Sequence, residues 1–165
     1  MSDQLPAPLV HKDCNLRDFP FMPLEVERLR RSGSWLYAKR NPSIAFYLIN
    51  LWTASWHEVP AGSIEDNDDV LADFAMCEPK KWDKLKADVL RGWVKCSDGR
   101  LYHPVVCEKV STAWAEKMKQ RGRTDAARLA RLNKHKSVTE SVTEQTQSVT
   151  DTTQREKDFV TGSKG

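Results

Sequence analysis

Apolar residues recur at helical spacing in several stretches, and once the pattern shortens to that of paired strands. Behind Asn41-Pro42-Ser43, a cap-type residue with proline in the first turn, Ile44, Tyr47, Leu48, Leu51, Trp52 and Ser55 follow the i, i+3, i+4, i+7 rule. This predicts the central buried helix. Upstream, Leu24 to Arg31 has helical composition and stops at Ser32-Gly33. Ser63 to Asp69 reads as an acidic, cap-rich approach to a helix at Val70 to Met76, its negative charges suiting a helix N-terminus. Glu78-Pro79 then opens the next helix, on which Trp82, Leu85 and Val89 form one face. At 100° per residue, Lys80, Lys84, Ala87 and Arg91 fall within about 60° of each other on the opposite side. One face suits a core and the other something negative. Directly after it, Trp93 to Cys96 and Leu101 to His103 flank Ser97-Asp98-Gly99-Arg100, a turn that closes a β-hairpin. Val106, Val110, Ala113, Trp114 and Met118 carry a stripe into a further helix that returns to the core.

Helix, short link, basic helix, hairpin is the order of a winged helix-turn-helix, with recognition helix and then wing. The expected fold is mainly α with a small β-hairpin over residues 15–120. Residues 1–14 are expected to be a flexible N-terminus, with prolines at 6 and 8. Asp18-Phe-Pro-Phe-Met-Pro-Leu24 is expected to lie extended across the domain, with Phe19, Phe21 and Leu24 in the core. After Gln120 the text changes. Residues 121–136 form a basic, helix-competent arm started by Thr124-Asp-Ala-Ala, and residues 137–165 repeat Ser-Val-Thr-Glu/Asp at 137, 141 and 148. Low complexity and isolated valines predict a disordered tail there, ending in Phe159-Val160 as a docking peptide or leading to a partner domain outside the chain.

Charge sharpens this picture. The net charge of +3 is modest, but Lys117 to Lys136 holds eight Lys or Arg against one Asp. All six tryptophans lie in the first 114 residues, so the packed part is there. No apolar run approaches the ~20 residues of a membrane span, and Met1 to Val10 lacks the regions of a signal peptide, so a cytoplasmic protein is expected. The four cysteines, at 14, 77, 96 and 107, form no CxxC pair and read as reduced thiols. Cys96, His103 and Cys107 can be drawn onto a zinc ion, but structural zinc uses closely spaced ligand pairs, and buried apolar cysteine is the commoner case. The Asp66–Asp69 cluster lacks the glycine and terminal glutamate of a calcium loop. There is no phosphate loop, nucleophile elbow or HExxH, and His11, His57, His103 and His135 are scattered, so no enzyme, metal or cofactor is expected.

Asp18-Phe-Pro-Phe, the Asn-Pro-Ser helix with Tyr47-Leu-Ile-Asn-Leu-Trp52, Asp68-Asp69, Lys81-Trp82-x-x-Leu85 and Asp98-Gly-Arg-Leu-Tyr-His103 together resemble the YdaU-type domain, over roughly residues 15–120. Glu25 to Ser34 departs from the Gly-Asp-Tyr type segment usual there. The resemblance implies a phage or prophage winged helix, similar to replication-initiation proteins, with a role in DNA replication or its control in a bacterial host and no catalytic residues. Joined to the charge pattern, it gives an expected DNA interface. Lys80, Lys81, Lys84 and Arg91 would face the major groove and Lys95 and Arg100 on the wing would meet phosphate. Arg121, Arg123, Arg128 and Arg131 would add attraction that is indifferent to sequence. Two rivals are an adaptor that docks a helicase or initiator, with Trp35 or Trp56 as anchor, and a transcriptional regulator.

Overall fold

The computed structural model describes residues 4–161, with side chains through residue 139. The chain divides into two compact units, Met1–Lys117 and Met118–Gly165. In the first, α1 (Val26–Arg31) and α2 (Gly33–Ala38) precede α3 (Pro42–Trp56), β1 (Ser63–Glu65), α4 (Asp68–Ala75), α5 (Pro79–Val89), β2 (Val94–Lys95), β3 (Arg100–Tyr102) and the start of α6 (Pro104–Thr161). The architecture is mainly helical with one small antiparallel sheet of order β1-β3-β2.

The predicted hairpin is present as β2 and β3, but its second strand has another neighbour. Ser63 pairs with Tyr102, Ile64 with Leu101 and Glu65 with Arg100, while Val94 and Lys95 pair with Tyr102 and Leu101 from the other side. The stretch before α4 is therefore part strand, where sequence suggested only a helix approach. Its capping role is real further on, since the Asn67 side chain accepts from the N–H groups of Asp69 and Val70 at the start of α4. A three-residue strand gives too short an alternation to be seen beside that cap.

Of the stripe that periodicity predicts on α3, Ile44, Leu48, Leu51, Trp52 and Ser55 are buried and Tyr47 is half-buried, and Trp56, weighed as a surface anchor, is buried beside them. They meet Ile64, Leu71, Trp82, Val89, Tyr102 and Val110 in one cluster. At the close of α3, Gly62 adopts φ +80°, and a Cβ there would stand 2.9 Å from the Cys107 Sγ and 3.2 Å from Val110. Its N–H donates to Ser55 O at 2.7 Å, and its carbonyl accepts from His103 N at 3.2 Å.

Two expectations about the N-terminal region are corrected. Residues 6–14 are tied down: Ser97 N donates to the Pro6 carbonyl, Ala61 N to that of Cys14, and Val10, Cys14 and Leu16 are core residues. These distant strand and loop partners leave no local signal. Conversely, Phe21 is 83% exposed and Leu24 half-exposed, while only Phe19 packs on the core. The segment lies on the domain through Phe19 and Met22, with the Phe19 carbonyl accepting from the Trp56 indole, and is tethered along its length rather than pressing every apolar residue inward. The tethers are Lys117 to Asp18 (2.5 Å), Lys109 to Glu25, and a bidentate Arg28–Glu108 pair at 2.6 and 3.0 Å. That last bond, followed by Arg28's charge, holds the Glu108 carboxyl below its ordinary range.

His103 caps α6. Its carbonyl accepts from Cys107 N and its ring Nδ1 from Val106 N at 3.4 Å. Burial first, and the Arg28 charge second, lower its pKa to about 4. The second unit is the continuation of α6, with residues 119–139 exposed on every side. Residues 137–161, expected to be disordered, have a helical backbone. No Gly or Pro interrupts 123–161, and extending an established helix costs little per residue. The side chains of Phe159 and Val160, and residues 162–165, lie outside the described part.

The turn between α4 and α5 has a left-handed Met76 (φ 57°, ψ 37°), with Met76 N donating to Asp73 O and Cys77 N to Ala72 O. This is the position that glycine ordinarily fills. Met76 is 68% exposed, so its side chain buries little. Met76→Gly is expected to raise stability by about 1 kcal/mol, measured by urea denaturation. For His103, the unfolded chain takes up a proton near the ordinary value of 6.5 that the native ring refuses until about 4. Stability is therefore full above that upper value and declines as pH falls toward the lower one, by up to about 3 kcal/mol. His103→Asn, which keeps a capping acceptor, is expected to flatten this slope in denaturation series across the window.

Candidate nucleic-acid interface

The sequence of α5 puts Trp82 and Val89 inward and leaves its cations outside. Its placement is set from α4: the Asp68 carboxylate takes the Trp82 indole N–H at 2.9 Å and the Lys86 ammonium at 2.8 Å. Lys86 and then Trp82 hold that carboxyl below its usual range. At the far end the Tyr37 hydroxyl donates to Asp88 at 3.1 Å, which, ahead of the Asp88 charge, raises the phenol's pKa. Thus α4 fixes the start of α5 and α2 fixes its end. The outward face is left to solvent.

The ten cations expected at an interface separate into groups. Lys80 and Lys84 are exposed on α5 and, among the described residues, make no ion pair. Lys81 pairs with Glu78 at 2.9 Å and Arg91 with Asp88 at 3.6 Å, both at i,i+3 spacing on the surface. Arg91 also sits 4.8 Å over the Tyr37 ring. Pairs of this kind are weak and exchangeable. Arg121, Arg123, Arg128 and Arg131 are exposed on α6 in the second unit, where Arg121, Arg128 and Arg131 share one face and Arg123 points elsewhere.

Lys95 and Arg100 both have partners within the sheet region. Lys95 binds Asp66 at 2.6 Å, joining β2 to the loop after β1. Arg100 is 22% exposed, its Nε donating to Ser63 Oγ at 2.7 Å and its Nη2 to Glu58 at 3.1 Å. Ser63 in turn donates to the Pro60 carbonyl at 2.7 Å, so the buried hydroxyl is satisfied on both sides. Arg100 is thus an internal fastener of the sheet, while Lys95 stays exposed in a surface ion pair. A hairpin position says nothing of which face a cation takes once a third strand lies beside it.

Sequence reasoning also missed two acids and one cation. Asp83 and Asp88 lie on the same outward side of α5 and dilute its charge. Arg40, exposed after α2, stands close enough to Tyr37 for its charge to act on the phenol and so lies near Arg91. Only the long-range Tyr37–Asp88 bond reveals that proximity. Among the described residues no His/Cys/Asp/Glu group is placed to hold a metal ion. Of the residues weighed as zinc ligands, Cys107 Sγ points to Gly62 O, Cys96 Sγ to Val94 O and His103 Nδ1 to Val106 N. Burial is the leading cause that raises both thiols, Cys107 to about 12. No helix of the described residues is long and apolar enough to cross a membrane.

These roles separate in a stability measurement. Arg100→Met strands Glu58 and a buried hydroxyl and is expected to cost about 2 kcal/mol. Lys84→Ala is expected to stay within about 0.5 kcal/mol. Paired urea titrations give both values.

No curated protein and no solved structure matches the chain. A family model does, over residues 20–111, which runs from the extended Phe-Pro segment through the sheet into α6. The chain belongs to that family, DUF1376, described as a protein family of unknown function.

Proposed function

We propose that this is a non-enzymatic winged-helix protein that binds DNA through α5. The observation that carries this reading is the unpaired Lys80 and Lys84 on the outward face of the second helix of an α4–turn–α5 unit. A strand before the pair and a hairpin after it, joined as β1-β3-β2, supply the frame of a winged helix. Such a helix enters the major groove while the cations at its ends rest on phosphate. Lys81, Arg91 and Arg40 would join by exchanging surface acids for phosphates. The wing contributes chiefly shape, because Arg100 is held within the sheet, and Lys95 can join only by leaving Asp66. The resemblance to phage replication-initiation domains directs this binding toward replication initiation or its control.

Anisotropy of labelled duplex DNA, titrated with the full chain across salt, tests the reading. Two to four phosphate contacts from α5 predict a log K against log salt slope of about −2 to −4, and steeper values if the α6 arginines take part. Lys80→Glu with Lys84→Glu is expected to abolish binding, and Lys84→Ala to lower it without unfolding. Undetectable binding at low salt sinks the proposal. It would favour the adaptor reading, in which a helicase or initiator is docked, for which exposed Phe21 and Val26 are better anchors than Trp56, a core residue.

A further inference from the structure

The first unit contains a cavity of ≈ 470 Å³ between residues 22–34, Trp52 of α3 and the first turns of α6. Met22, Leu24, Leu29, Pro104 and Val105 give it an apolar lining. Its volume lies in the range that takes a small organic molecule. His103 sits at its inner wall, only 8% exposed. Because Nδ1 accepts from Val106 N–H, the proton of the neutral ring is on Nε2. That N–H has no acceptor among the described residues. Gly92 (φ +87°) stands close by, where a Cβ would lie 3.9 Å from Nε2, in ordinary contact with it. The Trp52 and Trp93 rings flank the imidazole at 5.1 and 5.3 Å, and both indole N–H groups are buried without a partner. Two desolvated indole N–H groups thus go without a partner, and the imidazole N–H beside their rings has no acceptor, which leaves this region short of an acceptor.

We propose that this cavity binds a small, uncharged, mainly apolar molecule whose carbonyl or comparable oxygen accepts from His103 Nε2–H. The polar rim argues against a charged ligand. Arg28, Arg31 and Lys109 are each already met by a carboxylate, on Glu108, Glu27 and Glu25 respectively. A carboxylate ligand would bring an unmatched charge into a mainly apolar space, and an ammonium would find Glu25 of the lining already paired with Lys109. The site is independent of the DNA interface, and either can fail alone.

The test uses three probes that share a phenylalkyl body: 4-phenylbutan-2-one, 4-phenylbutyrate and 4-phenylbutylamine. Each is titrated into the isotope-labelled full chain while the His103 ring and the Trp52 and Trp93 indole signals are followed by NMR. The ketone is expected to shift those three sets saturably at about millimolar concentration, as its size allows. The two charged probes should bind at least about tenfold more weakly, one lost favourable contact being worth about that factor. His103→Phe, which keeps a ring but no donor, should weaken the ketone about tenfold. Leu24→Trp, at the exposed mouth and remote from core packing, should block it if the first variant does not fold. The proposal is overturned by the absence of saturable shifts up to the solubility limit, by tighter binding of either charged probe, or by shifts centred on exposed Phe21, Phe46 and Met76.

Discussion

The close approach of Gly62 to α6 is the constraint on which the first unit turns. The backbone there runs against Cys107 and Val110 at a distance that no side chain tolerates, and in a left-handed conformation that suits glycine. Through that contact Gly62 takes a hydrogen bond from His103, gives one to the end of α3, and leads directly into β1. The end of the central strand, the start of α6 and the close of α3 therefore meet at one residue. The sheet can then be only two or three residues per strand and still be held, because its ends are fixed by helices rather than by its own ladder.

A second consequence concerns how cations are divided. Arg100 lies on the middle strand, so it reaches across β1 to Ser63 and Glu58, and Lys95 on the edge reaches Asp66. Of these partners, Ser63 and Asp66 belong to the stretch that sequence assigned to a helix approach, and Glu58 precedes it. Once the third strand forms, carboxylates beside β1 engage both cations of the wing, and the unpaired cations of the α4–α5 pair are those on α5. The electrostatic face is smaller than the count of lysines and arginines suggests, and Asp83 and Asp88 trim it further.

What the chain spelled out locally was legible. Helix α3 with its buried stripe, the two faces of α5, the hairpin around Asp98-Gly99 and the capping by Asn67 all rest on spacing within a dozen residues. What was not legible depends on pairings far apart in sequence: Ser97 with Pro6, Tyr37 with Asp88, Ser63 with Tyr102. For that reason sequence alone reads the N-terminal residues as loose and Phe21 as buried. The site divides the same way. Lys80 and Lys84 need only helical geometry to be placed outward, whereas the environment of His103 is assembled from four separate parts of the chain and carries no motif.

The segment from Asp18 to Arg31 is fastened to α6 by charge, at Lys117, Lys109 and Glu108, while its apolar residues are partly left in water. Ion pairs at the surface weaken with ionic strength, and apolar packing does not. The cavity lined by Met22, Leu24 and Leu29 therefore has one wall set by the core and another set by the salt around the molecule. A change of ionic strength thus acts on the outer wall of the cavity before it acts on the core.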